Sequence, residues 1–186
     1  MSTAWIALGG NLGARASILT RAIERLQERG LIVRRRSRFY ESAPEGETNE
    51  PSYLNAVAEV ETELSPAALL SLLQEVELAL GRPHPHAAGP RTCDLDLLAF
   101  DDLVLNEPSL VIPHPRMERR SFVLVPLCEI DPHWVHPVSR ISAGDLLAAL
   151  PASFTEIHPH EVNGAADAPG GGAAHGRAIA PAGSPA

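Results

Sequence analysis

The stretch "YLNAVAEVETELSPAALLSLLQEVELALG", residues 53–81, contains two hydrophobic periods in succession. In its first ten residues apolar and polar side chains alternate, which is typical of a β-strand with one buried face. Ser65 and Pro66 are a favourable N-cap and first helical residue, and Gly81 is a favourable helix end. Between them the leucines and valines recur at helical spacing. The stretch therefore predicts a strand followed directly by an amphipathic helix.

The flanking sequence repeats this order. "WIALGGNLG", residues 5–13, is a short apolar strand with a glycine-rich turn, and a helical pattern then continues to Gly30. Residues 31–42 are extended, and a proline-broken loop at 82–91 leads into a last apolar strand at 93–100. The order strand, helix, strand, strand, helix, strand predicts an α+β fold. We expect the ferredoxin-like split βαβ form, an antiparallel sheet with both main helices on one face.

The composition is that of a globular domain with an appendage. The chain has 186 residues, of which 45% are hydrophobic and 20% are charged, and this length allows a sizeable core. From residue 161 onward the sequence is dominated by alanine, glycine and proline, which cannot bury enough surface to offset the entropy of ordering. We expect one domain over residues 1–160 and a disordered tail over 161–186.

Charge, apolar length and cysteine usage indicate where the protein acts and which partners it is expected to lack. The formal net charge of −8 argues against non-specific nucleic-acid binding, which needs a basic surface. No window has the length of apolar sequence that a membrane span needs, and the N-terminus lacks the pattern of a signal peptide. Two separate cysteines, Cys93 and Cys128, fit a reducing compartment. We expect a cytoplasmic monomer that acts on small molecules.

Two carboxylates stand in the last strand, within "GPRTCDLDLLAF", residues 89–100. Asp94 and Asp96 are two residues apart, so they share one face of the strand, while residues 93, 95, 97 and 99 should face the core. Tyr53 and Asn55 lie together on the polar face of the strand at 53–62. We therefore place these four side chains on the sheet face that the helices leave free.

An acid pair beside arginines suits a magnesium–polyphosphate complex. Mg²⁺ prefers one or two carboxylates, several waters and phosphate oxygens, and arginine neutralises the phosphates. An Asp-x-Asp pair alone also occurs where it only caps or turns a chain, so the pair by itself leaves both interpretations open.

The sequence around the pair resembles a known family. "FYESAP" (39–44), "YLNAVAEVET" (53–62), "GPRTCDLDLLAF" (89–100) and "PHPRMERRSFVLVPLCEI" (113–130) follow "IALGGNLG" in this order. Together they resemble the 6-hydroxymethyl-7,8-dihydropterin pyrophosphokinases of folate biosynthesis, from about residue 4 to residue 150. The resemblance implies transfer of the β,γ-diphosphoryl unit of ATP to the hydroxymethyl group of a reduced pterin, with release of AMP.

The resemblance also implies roles for individual residues. By similarity, Asp94 and Asp96 hold two Mg²⁺ ions, and Arg82 and Arg91 act with them as catalytic residues. ATP is implied to contact Gln74, Glu77, Leu98 (through its backbone), His114, Arg116 and Arg120. The pterin is implied to stack between Tyr53 and Phe122, and its edge to be read by Asn55 and by the backbone around Ser42, Ala43 and Glu45. No general base is evident, and phosphoryl transfer depends mainly on positioning and electrostatics.

The chain departs from the family in the loop before Gly89. Ala88 stands where tryptophan is usual, His84 stands where a second basic residue is usual, and the loop is one residue short. We expect an active enzyme with imperfect loop closure, in which Ala88→Trp changes turnover or pterin affinity. Gly10 replaces a frequent serine, which we expect to matter little. His84 and His86 lack further ligands at zinc spacing.

Two other functions stay open from the residues. A domain of this kind could bind a pterin or a nucleotide without turnover. Alternatively, the same acid pair could serve a nucleotidyl transferase, which releases pyrophosphate where the pyrophosphokinase releases AMP.

Overall fold

A computed structural model describes residues 1–44, 49–82, 89–151 and 157–161. The strands are β1 (Ser2–Gly10), β2 (Ile32–Arg36), β3 (Tyr40–Ser42), β4 (Tyr53–Thr62), β5 (Asp94–Phe100), β6 (Leu105–Glu107), β7 (Leu110–Ile112) and β8 (Ile157–Pro159). The helices are α1 (Arg15–Glu28), α2 (Pro66–Ala79), α3 (Ser121–Ile130) and α4 (Ala143–Ala148), with a 3₁₀ turn at Met117–Arg119. The expected α+β class is confirmed.

Six strands form one antiparallel sheet. The strand order is β5-β1-β4-β3-β8, and β2 pairs with the second half of β4 while β3 pairs with its first half. β6 and β7 form a separate hairpin. This order makes β1 and β4 the central strands and leaves β5 at an edge, so that β5 has one row of backbone groups without a strand partner.

One face of the sheet is covered by α1 and α2. Leu54, Ala56, Ala58 and Val60 of β4 lie in a core cluster with Leu19 and Leu26 of α1 and Leu69 and Leu73 of α2. The alternation of residues 53–62 therefore correctly gives the buried face of β4. The predicted start of α2 is also confirmed, since the Ser65 hydroxyl accepts a hydrogen bond from the Ala68 N–H at 3.3 Å.

The opposite face is covered in part by α3 and α4, contrary to our expectation that it is free. Trp5, Val57 and Leu98 form a second cluster there with Leu124 and Leu127 of α3. The sequence after residue 100 is rich in apolar side chains, and these need a sheet face to bury against. What stays open on this face is the half that lies beyond the N-terminus of α3.

A β-bulge in β5 corrects a second expectation. Ile6 pairs with Leu97 and Trp5 pairs with Ala99, so Leu98 is the extra residue. Before the bulge, Leu95 and Leu97 lie on the α1–α2 face, as predicted. After it the alternation changes phase, and Ala99 lies on the α3–α4 face, where the sequence pattern alone does not place it.

Several other expectations concern segments that the structure does not describe. Glu45, His84, His86, Ala88 and the segment 162–186 lie outside the described residues. Within the described part of the chain, Cys93 and Cys128 are free cysteines. None of the described helices has both the length and the apolar character needed to cross a membrane.

Candidate active site

The floor of a pocket lies where β5, β1 and β4 run side by side. Gly9 of β1 pairs with Asp94 on one side and with Asn55 on the other, and Ala7 pairs with Asp96 and Val57. Side chains that are paired across neighbouring strands project to the same face. Because Gly9 has no side chain, the space between the Asp94 carboxylate and the Asn55 amide is open to a ligand.

Asp94 is held by two arginines. Its Oδ1 accepts a hydrogen bond from Nη1 of Arg82, and its Oδ2 lies 3.1 Å from Nε of Arg91. Arg82 follows α2 and Arg91 precedes β5, so the two ends of the intervening loop meet at one carboxylate. The Arg82 side chain is only 7% exposed, and ion pairs that exclude water are screened less than surface pairs.

Glu77 connects this ion pair to the edge of the sheet. Its Oε1 accepts hydrogen bonds from the Arg82 guanidinium and from the Leu95 N–H, both at 2.6 Å. Because β5 is an edge strand, that N–H would otherwise lack a partner in the sheet. Burial raises the pKa of Glu77 to about 7, although the Leu95 N–H and Arg82 oppose this rise. Asp94 and Glu77 together raise the pKa of Arg82, despite the opposing effect of burial.

Asp96 has weaker compensation than Asp94. Its Oδ2 lies 3.9 Å from Nη1 of Arg120 and 4.0 Å from Nε2 of His114, both too far for hydrogen bonds, and its side chain is 40% exposed. Burial and the neighbouring Asp94 raise the pKa of Asp96, and His114 and the arginines offset part of this rise. The pKa of His114 is lowered, because the effect of burial outweighs the opposing effect of the Asp96 carboxylate. The Asp96 carboxylate is therefore more exposed and less closely paired than that of Asp94.

Aromatic and amide side chains form the opposite part of the pocket. Asn55 is buried, and its Nδ2 donates to the Ser42 hydroxyl at 2.9 Å. The guanidinium of Arg91 lies 5.6 Å from the ring centroid of Tyr53, and that of Arg120 lies 5.2 Å from the ring centroid of Phe122. Each aromatic ring is thus next to an arginine that also faces an aspartate, so the cationic and aromatic regions are continuous.

These side chains line one pocket of about 470 Å³, within the usual size of small-molecule sites. The predicted site residues in its lining are Ser42, Ala43, Tyr53, Asn55, Gln74, Glu77, Arg82, Arg91, Asp94, Asp96, Arg116, Arg120 and Phe122. His114 is not in this lining, but its Nε2 lies 4.0 Å from Oδ2 of Asp96. The backbone N–H of His114 donates to the Leu98 carbonyl at 2.8 Å. Leu98 is itself buried in the α3–α4 cluster. Glu45 lies outside the described residues.

Eight lining residues were not among the predicted site residues, and Gly9 and Glu50 are two of them. Gly9 forms the open floor, and the signal was the glycine pair that ends a strand adjacent to polar strand faces. Glu50 also lines the pocket, where its carboxylate accepts a hydrogen bond from the Tyr53 hydroxyl at 3.0 Å. Its position in a loop of mixed composition gave no comparable signal.

Comparison with known proteins gives the family. Residues 5–132 match the family of 7,8-dihydro-6-hydroxymethylpterin-pyrophosphokinase (HPPK). The chain belongs to this family. The family predicted by resemblance is thereby confirmed over the segment that contains the pocket.

Curated HPPK relatives cover most of the chain. The 2-amino-4-hydroxy-6-hydroxymethyldihydropteridine pyrophosphokinase of Aquifex aeolicus is 39% identical over 140 residues, which are 75% of this chain and 87% of that protein. The enzyme of the same name from Methylorubrum extorquens is 40% identical over 157 residues, 84% and 98% of the two chains. The folic acid synthesis protein of Pneumocystis carinii is 40% identical over 158 residues, 85% of this chain, but this chain spans only 20% of its length.

Solved structures support the fold of this HPPK chain. The Plasmodium falciparum HPPK-DHPS structure superposes with a TM-score of 0.64 at 15% identity, covering 79% of this chain and 44% of that one. The same protein with pteroate gives a TM-score of 0.65 at the same identity and coverage. At this identity the likeness extends to the fold alone.

Proposed function

We propose that the pocket transfers the diphosphoryl group of ATP to the hydroxymethyl group of 6-hydroxymethyl-7,8-dihydropterin, releasing AMP in folate biosynthesis. The chain is a pterin pyrophosphokinase by family, with ATP as its co-substrate. One observation carries the assignment to this pocket: an acid pair, four arginines, an amide and two aromatic rings line one cavity. Such a cavity has separate groups for a polyphosphate and for a flat, hydrogen-bonding heterocycle.

The region around Asn55 suits the pterin. A pterin ring has an amide-like edge, and an asparagine side chain can both donate and accept hydrogen bonds there. The Ser42 hydroxyl orients the Asn55 amide, and Ala43 and Glu45 are further pterin-binding candidates by resemblance. We propose that the rings of Tyr53 and Phe122 contact the two faces of the heterocycle, since stacking gains free energy beyond burial alone.

The region around Arg82, Arg91 and Arg120 suits the triphosphate. The Nε of Arg82 is buried and has no hydrogen-bond acceptor among the described residues, and such a donor is costly to leave unpaired. The Nε of Arg91 is also buried and makes no hydrogen bond there, although it lies 3.1 Å from Oδ2 of Asp94. Phosphate oxygens would supply acceptors. We propose that Arg82 and Arg91 act on the transferred group, and that Gln74, Glu77, Leu98, His114, Arg116 and Arg120 form the ATP side. Positioning and charge neutralisation then provide most of the acceleration.

Asp94 and Asp96 fit magnesium by their chemistry. Mg²⁺ takes one or two carboxylates and completes its coordination with water and substrate phosphates, and Asp94 and Asp96 are two carboxylates on the same sheet face. We propose that the pair holds two Mg²⁺ ions. When bound, the ions would neutralise charge on the phosphates and on the attacking hydroxyl. Asp96 is the carboxylate with room for a new ligand, whereas Asp94 is already held by the arginines.

We further propose that the core is of the ferredoxin-like split βαβ type. The order β5-β1-β4-β2 and the connection of β1 to β2 and of β4 to β5 by helices support this classification. We also propose that the protein acts in the cytoplasm as a monomer, without nucleic acid or membrane as a partner. The net charge and the free cysteines support this.

Product analysis tests the reaction. The protein should convert ATP and the hydroxymethyl dihydropterin to AMP and the pterin diphosphate in the presence of Mg²⁺, and chromatography separates these products. Release of pyrophosphate would indicate a nucleotidyl transferase, and binding without turnover would indicate a binding domain. Asp96→Ala should retain pterin binding but lose turnover by about a hundredfold or more, on the scale of other electrostatic contributions. Asp102→Ala, which removes an exposed carboxylate just after β5, is the matched control.

A further inference from the structure

We propose that Arg15 is a positioning residue for the pterin, an inference that rests on the proposed function. Arg15 is the first residue of α1 and is not part of the pocket lining. Its guanidinium reaches both ends of the connection between β3 and β4. We call the group formed by Arg15, Glu41 and Ser52 the Arg15 clamp.

The clamp is bidentate. Nη1 of Arg15 donates to the Ser52 carbonyl at 2.8 Å and to the Ser52 hydroxyl at 3.0 Å, and Nη2 donates to Oε1 of Glu41 at 2.5 Å. The planar guanidinium fixes the relative position of its two acceptors, which an ammonium group would not do. The ends of β3 and β4 are therefore held by the same side chain.

The clamped residues are immediate neighbours of the pterin side of the pocket. Glu41 precedes Ser42, whose hydroxyl accepts from Asn55, and Ser52 precedes Tyr53. Ser42 and Tyr53 also pair with each other in the sheet. A shift of Glu41 would move Ser42, and a shift of Ser52 would move Tyr53. Either shift would change the position of the Ser42 hydroxyl relative to the Tyr53 ring. Arg15 thus acts on the pterin side through the backbone.

A fourth residue, His160, extends the clamp to the C-terminal strand. Nδ1 of His160 lies 3.3 Å from Oε1 of Glu41, the same oxygen that Arg15 contacts, and the His160 N–H donates to the Phe39 carbonyl at 2.8 Å. Arg15 and Glu41 are 23% and 37% exposed. A single ion pair at that exposure adds little stability, so the expected effect of the clamp is on ligand binding through preorganisation.

The matched comparison is Arg15→Ala against Arg29→Ala. Arg29 lies just after the other end of α1 and pairs with Glu75 of α2 at 2.8 Å, away from the pocket, with both side chains more than half exposed. We expect Arg15→Ala to raise the KM for the pterin about three- to tenfold, because the binding residues must then be ordered by the ligand. The KM for ATP and kcat should change less than about twofold in either variant. A merely structural role would affect both substrates alike.

Three results would overturn the proposal that Arg15 positions the pterin side. They are an unchanged KM for the pterin in Arg15→Ala, an equal rise in the KM values for the pterin and ATP in that variant, and an equal rise in the KM for the pterin in Arg29→Ala. If Arg15→Ala does not fold, Glu41→Gln, which keeps the size of the side chain and removes its charge, should show the same selective effect more weakly. Wild-type protein without AMP formation would refute the proposed function instead. Hydrogen exchange then still tests the clamp, since Arg15→Ala should accelerate exchange at residues 41–44 and 52–53, and unchanged rates there would refute it.

Discussion

Gly10 lies against the backbone of Thr92: a β-carbon at position 10 would come within 2.4 Å of the Thr92 carbonyl oxygen. The approach is held by the N–H groups of Asn11 and Leu12, which donate to the Arg91 carbonyl at 2.9 and 3.2 Å. From the sequence, glycine in place of the frequent serine is expected to matter little. In this chain the glycine instead allows the segment that carries Arg91 to sit close to β1.

We expect Gly10→Ser to destabilise the protein and impair phosphate binding, because the Arg91–Thr92 backbone must move away. Overpacking of this kind costs about 1–3 kcal/mol. Urea unfolding measures the loss, and kcat/KM for ATP should fall with it. Ala67→Ser, on the exposed first turn of α2, should cost less than about 1 kcal/mol. A Gly10→Ser protein with unchanged unfolding and kinetics would show that the segment adapts without cost.

Glu77 should make stability depend on pH. Its pKa is about 7 in the folded protein and ordinarily 4.5, so the folded state binds the proton more tightly than the unfolded chain. The stabilising contribution is complete below pH 4.5 and is lost as the pH rises to 7. Relative to Glu77→Gln, the wild-type free energy of unfolding should fall by roughly 3 kcal/mol over this window.

Urea unfolding at several pH values measures the difference. Glu75→Gln is the control, since Glu75 is exposed on the same helix, and its pH profile should follow that of the wild type. Parallel profiles for wild type and Glu77→Gln would mean that Arg82 and the Leu95 N–H keep the carboxylate charged in the folded protein.

Arg120 and Arg119 offer a neighbouring pair with different surroundings. Arg120 is 10% exposed and faces Asp96 and Phe122, whereas Arg119 is exposed. Arg120→Ala should lower kcat/KM by about tenfold or more, since it removes a largely buried charge from the phosphate side. Arg119→Ala should leave it within about twofold. Steady-state AMP release measures both, and equal effects would argue that only the general basic charge of this segment matters.

Magnesium should act through Asp96 in binding as well as in turnover. The reaction breaks the bond between the α- and β-phosphates, so α,β-methylene ATP is a suitable unreactive analogue. Calorimetry should show that Mg²⁺ increases the affinity of the wild type for this analogue by about tenfold or more, and that Asp96→Asn loses most of this gain. A chelator should reverse the effect in the wild type. An equal Mg²⁺ effect in both proteins would exclude Asp96 as a ligand.

The sequence predicted those features that depend on local periodicity. Alternation gave the two faces of β4, and Ser65 gave the start of α2, because each depends on neighbouring residues. The bulge at Leu98 was not predictable, since a strand read at a period of two has no sign of an extra residue. The cover by α3 and α4 was also missed, because an apolar helix does not specify which sheet face it buries against.

In the site, too, local sequence predicted some features, whereas others depend on tertiary contacts. Asp94, Asp96, Tyr53 and Asn55 were placed together from their spacing within strands, and they line one pocket. The bridge from Glu77 to the Leu95 N–H depends on β5 being an edge strand, which follows from the strand order rather than from local sequence. Gly10 and Arg15 depend on tertiary contacts with Thr92, Glu41 and Ser52, and their residue types alone gave no indication of these contacts.

The bulge at Leu98 also bears on how this strand can be exchanged between relatives. Before the bulge, Asp94 and Asp96 face the pocket, and Leu95 and Leu97 face the helices α1 and α2. After it the phase is reversed, so that Ala99 lies in the α3–α4 cluster and Phe100 in the α1–α2 cluster. A chimera that joins two parental sequences at Leu98 would keep each half with its own neighbours. A crossover two or three residues earlier would transplant half of the acid pair into a foreign setting.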